Sequence, residues 1–173
     1  MFVWVGLVLF SAIFVRWFAG HPLTVRTDAM FPTVMRGEVV WVARKGAVAG
    51  DVVQVDLGGD YGLYRIAGTS AQVVELKGRR LRIDGTRSGL GQARTVEFEA
   101  SDCRVEQVPA VTARIAEHTF EFVPGGADMR ASVPKGEIFL LGDHRSVAGD
   151  SRAWGALTDA SVQGVASRVL WSW

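Results

Sequence analysis

Apolar and polar positions alternate in two unlike ways along this chain. From Phe2 to Ala19 the run is apolar, with a single charge at Arg16. As a helix, at about 1.5 Å per residue, that run spans roughly 27 Å, enough for a thin bilayer core. Trp4 near one end and Trp17-Phe18 near the other fit the aromatic belts of a membrane span. No basic stretch precedes the run and no small-x-small cleavage site precedes Gly20. The pattern therefore predicts a retained anchor over residues 1–20 rather than a cleaved signal.

After Gly20 the apolar period shortens to that of strands. Val39 to Ala43 and Asp51 to Leu57 are short runs rich in β-branched residues, separated by Gly46 and Gly50, and Leu63 to Ala67 is a further strand-like run that ends at Gly68. Gln72 to Leu76 and Arg80 to Ile83 flank Lys77-Gly78-Arg79 as a hairpin, and Thr95 to Phe98, Val111 to Ile115 and His118 to Val123 continue the pattern. Ile138 to Leu141 reads as a buried strand stopped by Gly142, and Val165 to Trp171 as a strand that closes a sheet. Only Asp159 to Gln163 reads as helical. Twenty glycines suit a body with many turns and bends. The expected fold is mainly β, with an N-terminal transmembrane helix (1–20) followed by one antiparallel β domain (21–173).

Composition narrows the function classes. An apolar share of 49% agrees with a membrane segment, and a net charge of +1 supplies no field for nucleic acid or acidic partners. The basic run Lys77, Arg79, Arg80, Arg82 has no interleaved aromatics and reads as a solvated hairpin tip. Cys103 is the only cysteine, so an internal disulfide is excluded. His21, His118 and His144 are too widely spread to predict a metal site, and neither metal nor other cofactor is expected.

Five segments carry the chemistry, in order. They are Thr27-Asp28-Ala29-Met30-Phe31-Pro32-Thr33 with Gly37-Glu38; Gly50-Asp51-Val52-Val53; Leu63-Tyr64-Arg65-Ile66-Ala67-Gly68; Val133 to Arg145, containing Gly142-Asp143-His144-Arg145; and Gly149-Asp150-Ser151-Arg152 with Trp154-Gly155. Together they resemble the type I signal peptidases, from Arg26 to the C-terminus. The resemblance implies a serine/lysine dyad, in which a lysine kept neutral by burial takes the serine proton. It also implies exported preproteins as substrates and a bacterial cytoplasmic membrane location, with the β domain on the extracytoplasmic side. The positive-inside rule, applied to Arg16 and Arg26 alone, points the other way. The resemblance rests on more residues and sets the expectation.

The departures from that family's pattern fall on one proton-transfer unit. Ala29 stands at the nucleophile position, Tyr64 at the general-base position and Ala148 where a serine supports the lysine. A methyl group cannot attack a carbonyl, and a buried phenol stays neutral at pH values where a base is needed. Thr27 is placed by the resemblance as an oxyanion donor or, equally, an ordinary turn hydroxyl. Asp28 beside it would repel an oxyanion unless it points away. Met30, Phe31 and Leu63 are the expected substrate-binding residues, and Asp143, Arg145, Asp150 and Arg152 the ionic framework beneath the site. A site built from Asp28 and His144 would still need a nucleophile, and Ser146 and Ser151 lie in segments with structural roles.

Three functions follow. The first is a membrane-anchored, catalytically inactive homologue that binds or positions exported preproteins or pilin-like segments by strand addition. The second is an active endopeptidase cutting after small residues, its serine changed to alanine by design; Tyr64 and Ala148 count against it. The third is a structural partner in a secretion or pilus-assembly complex. Trp171 and Trp173 are candidates for contact with the lipid surface.

Overall fold

The computed structural model describes residues 20–88, 90–99 and 104–172. The predicted anchor lies outside these residues except for Gly20, as do Cys103 and Trp173. Among the described residues no helix is long and apolar enough to cross a membrane.

The runs read as strands form them, joined by strands at 21–24, 86–87, 129–132 and 157–158 that the sequence pattern does not show. The first seven are β1 (His21–Thr24), β2 (Val39–Ala43), β3 (Val52–Asp56), β4 (Tyr61–Gly68), β5 (Val73–Lys77), β6 (Arg80–Ile83) and β7 (Thr86–Arg87). The rest are β8 (Leu90–Glu99), β9 (Val105–Ile115), β10 (His118–Phe122), β11 (Met129–Ser132), β12 (Glu137–Leu141), β13 (Leu157–Thr158) and β14 (Val162–Trp171). They make a seven-stranded sheet in the order β1-β2-β14-β3-β4-β12-β13, a three-stranded sheet β10-β9-β8 and a four-stranded sheet β11-β5-β6-β7. Every pair of neighbouring strands is antiparallel.

The helical expectation over Asp159 to Gln163 is corrected. Only Asp159–Ser161 forms a short 3-10 turn, capped by the Thr158 hydroxyl, while Val162 and Gln163 open β14. β-branched Val162 pairs with Val55 instead of extending the turn. Among the described residues the α-helical turn is elsewhere, at Ser151–Trp154, where the Asp150 carboxylate accepts from the Arg152 amide as an N-cap.

One apolar cluster joins the two smaller sheets to the large one: Val74, Leu76 and Leu81 meet Ala113, Ile115, Phe120 and Phe122, and both meet Phe139 and Leu141. Each buried residue of this size stabilises the fold by roughly 1.5–3 kcal/mol. The large sheet curls, since His21 on β1 bonds through Nε2 to Gln54 Oε1 on β3 at 2.9 Å, although two strands separate them in the sheet. Leu63 on β4 then shares a cluster with Leu23, Val25 and Met30.

Candidate functional site

Strand alternation decides what β4 offers to the site. Ile66 donates its N–H to Asp51 O (2.9 Å) and accepts at its C=O from Gly50 N (2.8 Å), so its polar backbone faces β3. By the alternation of an antiparallel ladder, Leu63 and Tyr61 turn theirs to the opposite edge. β12 covers that edge only as far as Arg65, which pairs with Leu141. Beyond it, along Tyr61–Tyr64, no strand is registered among the described residues.

The side chains of Tyr64 and Ile66 face one cluster, and Leu63 faces another. Tyr64 is 8% exposed and packs edge-on against Trp154, with ring centroids 5.8 Å apart at 82°. Its ring lies over Gly62, where an added Cβ would come within 2.4 Å of Cε2. Burial, and then the nearby Asp150 carboxylate, push the Tyr64 pKa above the usual phenol value.

Ala29 belongs to the same cluster, with Ala148 packed against it. Gly142 holds the three segments close, because a Cβ there would meet Ala148 Cβ at 2.3 Å and Ala29 O at 2.7 Å. The three positions that depart from the dyad pattern thus meet in one apolar pocket of the core. The Ala29 carbonyl accepts from the His144 amide at 2.9 Å, pinning the loop against the Gly142–Asp150 segment.

That segment rests on charge. Asp150 accepts from Arg152 Nε (2.7 Å) and Nη2 (2.9 Å) and from the Gly142 amide (2.9 Å). Asp143 takes both arms of the Arg65 guanidinium, at 2.9 and 2.6 Å, and the Thr33 hydroxyl at 2.5 Å. Arg65 also donates to Gly50 O at 2.7 Å and lies 4.0 Å over the Phe120 ring. Arg145 donates to Gly142 O at 3.1 Å and stacks over Phe122 at 4.5 Å. Burial pulls its pKa down to about 10, so it stays charged at neutral pH. Ser151 is structural, its hydroxyl accepting from the Leu140 amide at 3.0 Å.

Above Ala29 opens a cleft of about 360 Å³, lined by Thr27, Asp28, Ala29, Arg36, Phe98, Val147 and Gly149. Asp28 does not aim at an oxyanion; its carboxylate pairs with Arg36 at 2.6 Å. Thr27 is exposed at the cleft wall. Met30 and Phe31 turn inward, Met30 to the cluster around Leu63 and Phe31 to Phe98 and Val123. Of the expected substrate contacts, then, Met30, Phe31 and Leu63 have buried side chains, and Leu63 faces the free edge with its backbone. Apolar residues this large are worth more to the fold inside than at an open cleft. Arg36 and Phe98 at the cleft, and Arg65 and Thr33 on the Asp143 carboxylate, were not among the residues expected from the sequence. Arg65 stands beside Tyr64 in its motif, the one signal that could have found it.

A mainly antiparallel β body in which the loop at Ala29, the strand at Tyr64 and the Gly142–Asp150 segment come together is the arrangement that defines the class. The family model for signal peptidase, peptidase S26, matches residues 1–171, and the chain belongs to that family. It is 27% identical over 159 residues to Signal peptidase IB of Staphylococcus aureus (strain COL), covering 87% of this chain and 77% of that protein. It is also 27% identical over 148 residues to Signal peptidase I of Bacillus amyloliquefaciens, covering 82% and 68% respectively. The crystal structure of a signal peptidase I from Enterococcus faecalis aligns with 71% of this chain and 98% of its own, at 25% identity and a TM-score of 0.44.

Proposed function

We propose that this chain is a catalytically inactive signal peptidase I homologue, anchored by its N-terminal segment in the bacterial cytoplasmic membrane. Its β domain lies on the extracytoplasmic side and binds or positions exported preproteins or pilin-like segments. The observation that carries this reading is the packing of Ala29, Tyr64 and Ala148 into one apolar cluster. Position 29 has no hydroxyl to attack with, and the buried Tyr64 phenol holds its proton where a base would have to take one. Loss of a serine nucleophile lowers turnover about a millionfold and leaves binding intact.

Binding has its own support. An extended segment laid along Tyr61–Leu63 finds the outward N–H and C=O of Leu63, next in the chain to the Tyr64 that clusters with Ala29, which is how an exposed sheet edge takes up a peptide. The exposed apolar end of β14, with Leu170 at 44% and Trp171 at 60%, supports contact with the lipid surface.

The test is preprotein cleavage in detergent with phospholipid, read by mass spectrometry, for the native chain and an Ala29→Ser/Tyr64→Lys/Ala148→Ser variant. The native chain should be silent and the variant should cut at the signal-peptide junction. Cleavage by the native chain would overturn the proposal. Silence from both, with no cross-link from a photoreactive signal peptide, would favour a structural partner in a secretion or pilus-assembly complex.

A further inference from the structure

His144 holds a place that its charge state should not leave unchanged. Its side chain is among the most deeply buried in the protein, 2% exposed, and it sits in an aromatic cage. Phe98 stands edge-on to it with centroids 4.6 Å apart at 83°, Phe31 is 5.7 Å away, and the two phenylalanines are 5.0 Å from each other. Nδ1 is buried with no hydrogen-bond partner. A neutral imidazole can leave that nitrogen as a bare acceptor. An imidazolium puts an N–H there, and an unpaired charged donor inside an apolar cage is strongly disfavoured.

The cage belongs to the cleft. Phe98 and Ala29 both line it, and the His144 amide holds the Ala29 carbonyl. Val123, which pairs with His144 in an isolated parallel bridge, presents only apolar surface. The charged groups around the ring are few. Asp28 lies beside it through both its carbonyl and its carboxylate, Glu106 on β9 acts from further off, and Arg36 reaches it only through its pair with Asp28. Arg145, next in sequence, stacks on Phe122.

We propose that His144 is a proton-driven switch on the cleft: on gaining a proton it leaves the Phe31–Phe98 cage for the Asp28 carboxylate, releases Arg36 and loosens the wall at Phe98. The two states differ in which cation Asp28 holds. In the neutral state it is Arg36, at the mouth of the cleft, and in the protonated state it is His144, at its floor.

The direction of the pH effect follows. Burial pushes the His144 pKa below the ordinary histidine value, against the opposing pull of Asp28 and Glu106. The unfolded chain takes up this proton near pH 6.5, before the folded one does. The closed cage therefore contributes its full stability above about 6.5 and loses it as pH falls towards the folded-state pKa.

Hydrogen exchange read by mass spectrometry on the full chain in phospholipid nanodiscs tests this without any peptide, so its outcome is separate from that of the cleavage experiment. Between about pH 7.5 and about pH 5, after correction for intrinsic exchange, amides in 28–36 and 94–99 should lose about tenfold in protection. His144→Asn should abolish the response and His118→Asn should keep it. Arg36→Gln leaves Asp28 to the histidine alone and should move the midpoint to higher pH, a readout that holds even if the asparagine variant folds poorly. Equal protection at both pH values, a response that survives His144→Asn, or an unmoved midpoint in Arg36→Gln would overturn the proposal.

Discussion

Burial acts in opposite senses on an amine and a phenol. It favours the neutral form of each, which makes a lysine a base and leaves a tyrosine an acid that holds its proton. Tyr64 therefore fills the volume of a base without being one, and restoring a serine at position 29 alone gives the hydroxyl nothing to hand its proton to. The residue beside it keeps its charge and has a different task. Arg65 and Asp143 are both buried and joined by two hydrogen bonds. Replacing Asp143 by Asn leaves the guanidinium without its counter-charge and should cost about 3–5 kcal/mol in urea unfolding of the full chain. An Arg65→Met/Asp143→Leu pair should recover much of that loss, because neither position then holds an unpaired buried charge. The sequence motif named Asp143, Arg145, Asp150 and Arg152 as framework and missed Arg65 and Thr33. Those two reach Asp143 from 78 and 110 residues away, and no local pattern carries such a pairing.

Among the elements, β4 carries most of the functional reading. Its Gly62 is small because the Tyr64 ring occupies the space a side chain would need. Trp154 stands on the edge of that ring, so the tyrosine has little room to swing away. Gly62→Ala should then cost about 1–3 kcal/mol by overpacking. In a Tyr64→Ala background the same change should be nearly neutral, a coupling that a double-mutant cycle by thermal unfolding would measure. Strands with a run of β-branched residues, such as β2 and β3, were legible in the sequence to within a few residues. β1 and β11 were not, because His-Pro-Leu-Thr and Met-Arg-Ala-Ser alternate too weakly to stand out, and their pairing partners β2 and β5 make them strands. The Ser151–Trp154 turn is too short for any helical period and depends on the Asp150 cap.

At the scale of the molecule, the membrane topology proposed for the chain is open to labelling. Arg79 sits at the exposed tip of the β5–β6 hairpin, far along the chain from the predicted anchor. In a Cys103→Ser background, Arg79→Cys should react in intact cells with a maleimide that cannot cross the membrane. Protection until the cells are opened would place the β domain in the cytoplasm, as the arginines near the anchor would have it.

The order of strands in the large sheet has a consequence for how the protein is made. β14 follows every other described strand in the chain, yet it lies between β2 and β3, pairing with Trp41 and Val42 on one side and with Val53 and Val55 on the other. In the proposed topology, a domain threaded outward behind its anchor delivers both neighbours well before the strand that joins them. Until it arrives, two bare strand edges face each other across a gap, and the site at Ala29 has no finished sheet to rest on. In the topology proposed above, the domain is thus assembled only after translocation is nearly over, and whatever guards nascent strands at the outer face of the membrane must guard these two throughout.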